Sequence, residues 1–341
     1  MTPTVLIIGA NGRFGSEAAH AFHAAGWQVL TQARSQTAGR LRSVRAMQSH
    51  LDDVDALACE AAGAQVVVYA VNPPYTRWAA EALPLARHAM DVAERLQACF
   101  MLPGNVYNFG ASMPPLLLEE TPQQALTRKG RIRIAMEAEL QARADSSRLR
   151  SVVLRAGDFY GSGTGSWLDL VITKDLRKGK LVYPGPLNLP HAWAYLPDLV
   201  QAMVALATQS VQGQLPAAFN RFHFEGHTLT GAECLAAIDR AAAALHLRPK
   251  GDFQDSGFKH GSLPWGLIRA GGVVWPQWRE LAEMAYLWDV PHALSGTALR
   301  ACLGRDATTL TSTPVDIAFR DSLVALGMTS VAASRTSPAH S

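Results

Sequence analysis

Three glycines spaced three apart, in the run Gly9-Ala10-Asn11-Gly12-Arg13-Phe14-Gly15, follow directly on the apolar Thr4–Ile8 and precede an alanine-rich stretch. A strand that leaves such a turn as a helix offers free backbone N–H groups and the positive end of the helix dipole to an anion. Gly9 permits the tight turn, Gly12 lets the backbone approach a pyrophosphate, and Gly15 allows helix and strand to pack closely. The chemistry predicted here is dinucleotide binding, with Asn11, Arg13 and Phe14 in the same turn. An ordinary glycine turn is the plainer alternative.

The second chemical signal lies further along. An acidic residue about 20 positions past such glycines would bind a ribose 2′-hydroxyl. The corresponding segment here reads Ala33-Arg34-Ser35. A carboxylate would repel a 2′-phosphate, whereas a guanidinium pairs with it through a planar fork of donors. Arg34 therefore predicts NADP, with NAD as the second candidate, and Arg40 and Arg42 lie in the same segment. A solvated surface arginine is the alternative for Arg34.

The elements that must position these groups alternate. Val5–Ile8, a helix near Ser16–Ala25, the strand Gln28–Gln32 and a short strand near Val44–Gln48 come first. A helix opening at Asp53, the strand Val66–Ala70, a helix from about Arg77 to Leu96 and the strand Cys99–Leu102 continue the rhythm. A helix over Ile132–Arg143 and the strand Ser151–Leu154 complete it. This order predicts an α/β protein with a Rossmann-type doubly wound parallel sheet. Past Asp158, glycine, proline and tryptophan become frequent, which marks a smaller C-terminal α/β substrate lobe. The expected division is an NADP-binding domain over 1–162, a substrate lobe over 163–328, and a disordered Ser/Thr/Ala-rich tail over 329–341. Residues 191–210, a strand His191–Leu196 and a helix opened by Pro197-Asp198, are expected to return to the first domain.

In a doubly wound sheet, ligands bind at the carboxyl ends of the strands. Asn72, Asn105, Tyr107, Arg155 and Asp158 fall there. Asn72-Pro73-Pro74-Tyr75 is a rigid loop whose aromatic either covers a nicotinamide or simply turns the chain. His191, Trp193 and Tyr195 share one strand face by their period of two, and either meet substrate or form a packed aromatic stripe. Trp265, Trp275, Trp278 and Trp288 read mainly as core of the second lobe. His223 and His227 stand four apart, but Glu225 and Glu233 do not complete a metal set, so no metal is expected.

Composition narrows the classes. The 341 residues are 48% hydrophobic with a net charge of only +3, which argues for a globular fold and against a nucleic-acid partner. No apolar run approaches the roughly 20 residues that span a bilayer, and a strand beginning at Thr4 leaves no space for a signal peptide. No membrane partner and a cytoplasmic location are the expectations, with a small-molecule substrate and, at most, a second copy in a homodimer. Cys59, Cys99, Cys234 and Cys302 show no paired spacing and read as buried free thiols.

Taken together, the residues resemble the extended and atypical short-chain dehydrogenase/reductase superfamily, in its NAD-dependent epimerase/dehydratase-like branch, over nearly the whole chain. The resemblance rests on the glycine turn, on Leu51-Asp52-Asp53, and on Val66–Ala70 followed by Asn72-Pro73-Pro74. It rests further on Leu154-Arg155-Ala156-Gly157-Asp158-Phe159-Tyr160-Gly161 and on His191–Asp198 ahead of a helix. Beside the resemblance, Leu51, Ala70 and Asn72 are expected to border the cofactor, and Asn105, Asp158, His191 and Trp193 are the candidate substrate residues. The resemblance implies a Tyr-x-x-x-Lys pair with a preceding Ser or Thr, and this chain departs from that pattern. No Tyr-x-x-x-Lys occurs anywhere in the sequence. With Glu137 at the family's glutamate position, Lys129 stands where the tyrosine belongs and Arg133 where the lysine belongs. Pro103-Gly104-Asn105-Val106-Tyr107 carries no Ser or Thr.

Arg133 keeps donors for ribose hydroxyls but does not shuttle protons near neutral pH. The catalytic candidates are thus Tyr107, just past a strand end, Lys129, if the charge of Arg133 disfavours its proton, and Arg133 as the cofactor-holding cation. For Tyr107 a structural turn residue, and for Lys129 a solvated cation at a helix start, are the alternatives. The expected function is an NADP(H)-dependent oxidoreductase or epimerase-like enzyme acting on a small carbonyl or alcohol. The rival is a non-catalytic NADP-binding sensor.

Overall fold

Thr4–Ile8 and Val66–Tyr69 are buried at every residue, because strands covered on both faces need apolar side chains on both. The computed structural model describes residues 2–34, 44–247, 257–304 and 312–329. The chain enters as β1 (Thr4–Ile8), turns into α1 (Arg13–Ala24) and returns as β2 (Gln28–Gln32) and β3 (Arg45–Ala46). Next come α2 (Val54–Glu60), β4 (Val66–Tyr69), α3 (Trp78–Leu96), β5 (Cys99–Gly104) and the short β6 (Leu116–Leu117). After α4 (Arg128–Asp145), β7 (Arg150–Arg155) and β8 (Asp158–Tyr160) follow β9 (Lys180–Tyr183), β10 (Pro190–Tyr195) and α5 (Leu196–Val211). Then β11 (Phe219–His223), β12 (His227–Thr230) and α6 (Gly231–Ala244) lead to β13 (Lys259–Ser262), α7 (Trp265–Gly271), α8 (Pro276–Ala282) and α9 (Tyr286–Asp289). The last described elements are β14 (Ala293–Leu294), α10 (Thr297–Leu303) and α11 (Val315–Ala325).

Seven strands form one parallel sheet in the order β11-β7-β5-β4-β1-β2-β3. The chain winds outward in both directions from β1, as a doubly wound fold requires. The period of two in β1 divides its side chains between two cores. Val5 and Ile7 meet α1 and α5 through Phe14, Phe22, Leu199 and Met203. Leu6 and Ile8 meet the other helical layer through Leu57, Ala86, Met90 and Leu140. A third core, around Tyr160, Tyr183, Trp193, Ile238, Trp288 and Phe319, belongs to the second lobe.

Several boundaries differ from the sequence reading, each for a local reason. α1 begins at Arg13 rather than Ser16, because Gly12 takes the extended N-cap geometry. α4 begins at Arg128 rather than Ile132: the Thr127 hydroxyl accepts from the Gly130 N–H at 3.0 Å and starts a first turn with no apolar periodicity. α5 does return to the main sheet, packing on α1. The strand before it does not, since β10 pairs with β8 and β12 in a separate three-stranded sheet. β11, inside the segment expected to form the second lobe, joins the main sheet beside β7. Of the tryptophans grouped as core, Trp288 is buried and Trp265 half-buried, but Trp275 and Trp278 are exposed. Cys99 and Cys234 are buried, whereas Cys59 is exposed and Cys302 half-buried. The 330–341 part of the tail lies outside the described residues.

Candidate active site

A cleft of about 1330 Å³ opens at the carboxyl ends of the strands where the winding reverses, between β1 and β4. Gly9, Asn11, Gly12, Arg13 and Phe14 border it along one wall. Gly9 has φ +90, and a side chain there would sit 2.7 Å from the Ala70 carbonyl carbon. A side chain at Gly15 would sit 2.3 Å from the Gly9 oxygen, so these two glycines are required by the turn itself. Gly12 is less crowded, at 3.3 Å from the Gly9 oxygen, and it opens α1 with no side-chain cap and no acidic residue in the first turn. The positive end of α1 therefore borders the cleft uncompensated.

Arg13 and Phe14 also tie the turn to the second lobe. The Arg13 guanidinium donates to the carbonyls of Phe159 (3.1 Å) and Gly161 (3.0 Å), and burial holds its pKa below the usual value. Phe14 packs against Phe159 with ring centres 5.9 Å apart. At the end of the cleft beyond β2, Arg34 is exposed beside Gln32, Ala33 and Leu51. Arg40 and Arg42 lie outside the described residues.

The opposite end holds two phenols and a guanidinium. Tyr107 is buried in the cleft wall, and its hydroxyl lies 3.1 Å from that of Tyr75. Its backbone N–H donates to Asn105 Oδ1 at 3.1 Å, which fixes the turn. Burial, with the adjacent Tyr75 phenol and the Asp158 carboxylate, pushes the Tyr107 phenol well above its ordinary value. Asn72 borders the same cleft and accepts from Trp78 Nε1 at 2.9 Å. The Arg133 guanidinium stacks over Trp78 at 5.1 Å and donates to the Pro103 carbonyl at 3.2 Å. Its Nε is buried without a hydrogen-bond partner.

The sequence of strand ends and helices is matched by a family model described as NAD dependent epimerase/dehydratase family over residues 5–220. The chain belongs to this family. Its fold is similar to UDP-glucose 4-epimerase from Brucella ovis in complex with NAD, with TM-score 0.71, 14% identity and coverage of 96% of this chain and 99% of that one. UDP-N-acetylglucosamine 4-epimerase from Bacillus cereus gives 0.70, 12%, 96% and 99% on the same measures. L-threonine dehydrogenase from Clostridium difficile gives 0.70, 15%, 96% and 98%. No curated protein matches the chain significantly.

The two residues expected in place of the Tyr-x-x-x-Lys pair have separate surroundings. Arg133 borders the cleft, but Lys129, one helical turn earlier, does not. Lys129 faces a neighbouring cavity of about 40 Å³, with Nζ 2.5 Å from Glu280 Oε2 and 2.5 Å from Glu283 Oε2 and the Tyr75 ring 5.0 Å away. Although burial opposes it, the bond and charge of Lys129, with the N–H groups of Arg128 and Lys129, hold the Glu283 carboxyl below its ordinary value. Lys129 is thus an anchor for the second lobe beneath the Tyr75 loop.

The substrate-type residues divide similarly. Asn105 and Asp158 border the cleft. His191 lies behind Asp158, bonded to its Oδ2 at 2.9 Å and stacked on Trp288 at 4.2 Å, and Trp193 is fully buried. The period-two face that carries them is therefore a packed stripe. Arg155 turns away from the cleft into the interior, where Glu137 accepts from its Nε (3.0 Å) and Nη2 (2.5 Å). Burial and the Arg155 charge push the neighbouring His223 down to about 3. His227 is held apart from it by Tyr160 (2.7 Å) and the Thr313 carbonyl (2.8 Å). Among the described residues no helix is long and apolar enough to cross a membrane.

The Tyr75 hydroxyl was not legible as a partner of Tyr107, because the two are 32 residues apart in the chain. Only the register of β4 beside β5, which carries the loops after both, brings them together. The Asn72-Pro73-Pro74-Tyr75 loop was the available signal.

Proposed function

We propose that the chain is an NADP(H)-dependent oxidoreductase or epimerase-like enzyme of atypical short-chain type, acting in the cytoplasm on a small carbonyl or alcohol with Tyr107 as proton donor. The observation that carries it is the paired Tyr107 and Tyr75 hydroxyls in the cleft that also holds the glycine turn. The residues present fit a pyridine nucleotide: the cleft wall is bare at Gly12, α1 opens uncapped, and the Arg133 Nε lacks an acceptor. Gly9, Gly12 and the start of α1 would hold the pyrophosphate, Arg34 the 2′-phosphate, and Arg133 the nicotinamide ribose, with Leu51, Ala70 and Asn72 along the wall.

When bound, NADP(H) supplies or removes a hydride at the substrate carbon. In the reducing direction Tyr107 gives its hydroxyl proton to the substrate oxygen, and Tyr75 replaces that proton. Arg133 adds positive potential beside the phenols, and Asp158 is an acceptor for a substrate hydroxyl. A second reading, cofactor binding without catalysis, draws on the missing Tyr-x-x-x-Lys pair.

Cofactor choice is tested by calorimetric titration with NADPH and NADH. Arg34→Ala is expected to weaken NADPH by about tenfold or more, as loss of a charge-assisted phosphate contact does, and to leave NADH within about twofold. Equal effects on both would remove Arg34 from the phosphate site.

A further inference from the structure

We infer that the helical hairpin formed by α7 and α8 is a docking surface for an anionic phospholipid layer. Its tip exposes Val273 (87%), Val274 (71%) and Trp275 (54%), with Leu267 (66%) alongside. Scattered exposed apolar residues are ordinary, but a contiguous run on one tip is not. The tip is also rigid. The Trp278 ring lies over Gly271, where a side chain would come within 2.3 Å of it, and the Val274 and Trp275 N–H groups donate to the Gly271 carbonyl at 3.0 and 2.9 Å. A surface already in shape loses little entropy on docking.

Charge decides the occupant. From Trp265 to Arg279 the hairpin carries Arg269 and Arg279 and no Asp or Glu, and its acidic residue Glu280 is buried and paired with Lys129 and Arg128. Arg279 lies 3.9 Å from the buried Glu280 and still keeps 61% of its side chain exposed. A second copy meeting this surface across a two-fold axis would set these cations against themselves. Apolar and tryptophan side chains rimmed by cations are what an anionic headgroup layer accepts. Gln277, Trp278 and Leu281 of the same hairpin line the cleft, so docking sets the cleft rim at the lipid surface. This is attachment from one side, consistent with the absence of a spanning helix among the described residues.

The test is co-sedimentation of the full chain with vesicles of phosphatidylcholine alone and of phosphatidylcholine with phosphatidylglycerol. Partitioning is expected on the anionic vesicles, weakened by high salt and lowered about tenfold or more by Val273→Ser with Trp275→Ser. An unchanged thermal melt in that variant keeps the result free of folding effects. No partitioning on anionic vesicles would overturn the inference, as would equal partitioning of the variant. A dimer in solution that the same variant abolishes, with no vesicle binding, would assign the tip to a second copy instead and overturn it equally.

Discussion

Tyr107→Phe is expected to lower turnover by about 100-fold or more while leaving cofactor affinity unchanged, because the substitution removes one proton and little volume. The phenol is buried, and its hydroxyl meets the chain at Tyr75. Tyr75→Phe is expected to cost less, since Tyr107 keeps its own proton and only its replacement slows. Burial and the nearby Tyr75 and Asp158 raise the Tyr107 phenol, so it stays protonated through neutral and mildly alkaline pH. The reductive rate should therefore show no alkaline fall from this group below its ordinary value of 10.0. A full wild-type rate in Tyr107→Phe would exclude Tyr107 as the donor, and a loss of cofactor affinity instead of turnover would make it a structural residue.

Glu137→Ala is expected to destabilise the fold by about 3–5 kcal/mol, the cost of leaving a buried charge without its partner. Glu137 accepts from Arg155, from Asn108 (2.9 Å) and, more weakly, from Gln123 (3.4 Å), and Arg155 is completely buried. Replacing both charges, as in Glu137→Leu with Arg155→Met, should recover part of the loss, because no buried guanidinium is then left without its counter-charge, while the Asn108 and Gln123 amides still lose one acceptor. Urea unfolding of the single and double variants measures this. A single-variant cost under about 1 kcal/mol would show that water reaches Arg155, contrary to its burial here.

The parts of this architecture that were legible in the sequence are those set by local pattern. The uniformly apolar β1 and β4 announce a sheet covered on both faces, and the glycine spacing announces the turn that follows β1. β11 is not marked by local pattern, because Phe219–His223 mixes polar and aromatic residues and gains its position only by pairing with β7. The start of α4 was hidden because one hydroxyl cap sets it, while its first turn lacks the helical apolar period. At the site, residue types pointed to Tyr107 and Arg133, but their partners come from segments distant in the chain. Glu280 and Glu283, more than 150 residues from Lys129, turn that lysine into an anchor. Trp275 and Trp278 resembled core residues because composition does not record which side of a short helix faces water.

Rapid mixing of the NADPH-loaded chain with a panel of aldehydes, ketones and nucleotide sugars tests the enzyme directly. Loss of reduced-nicotinamide absorbance with at least one member, slowed when the cofactor carries deuterium at the transferred position and abolished in Tyr107→Phe, is the predicted result. Tight NADPH binding with no absorbance change across the whole panel would contradict catalysis and leave a protein that only senses its cofactor.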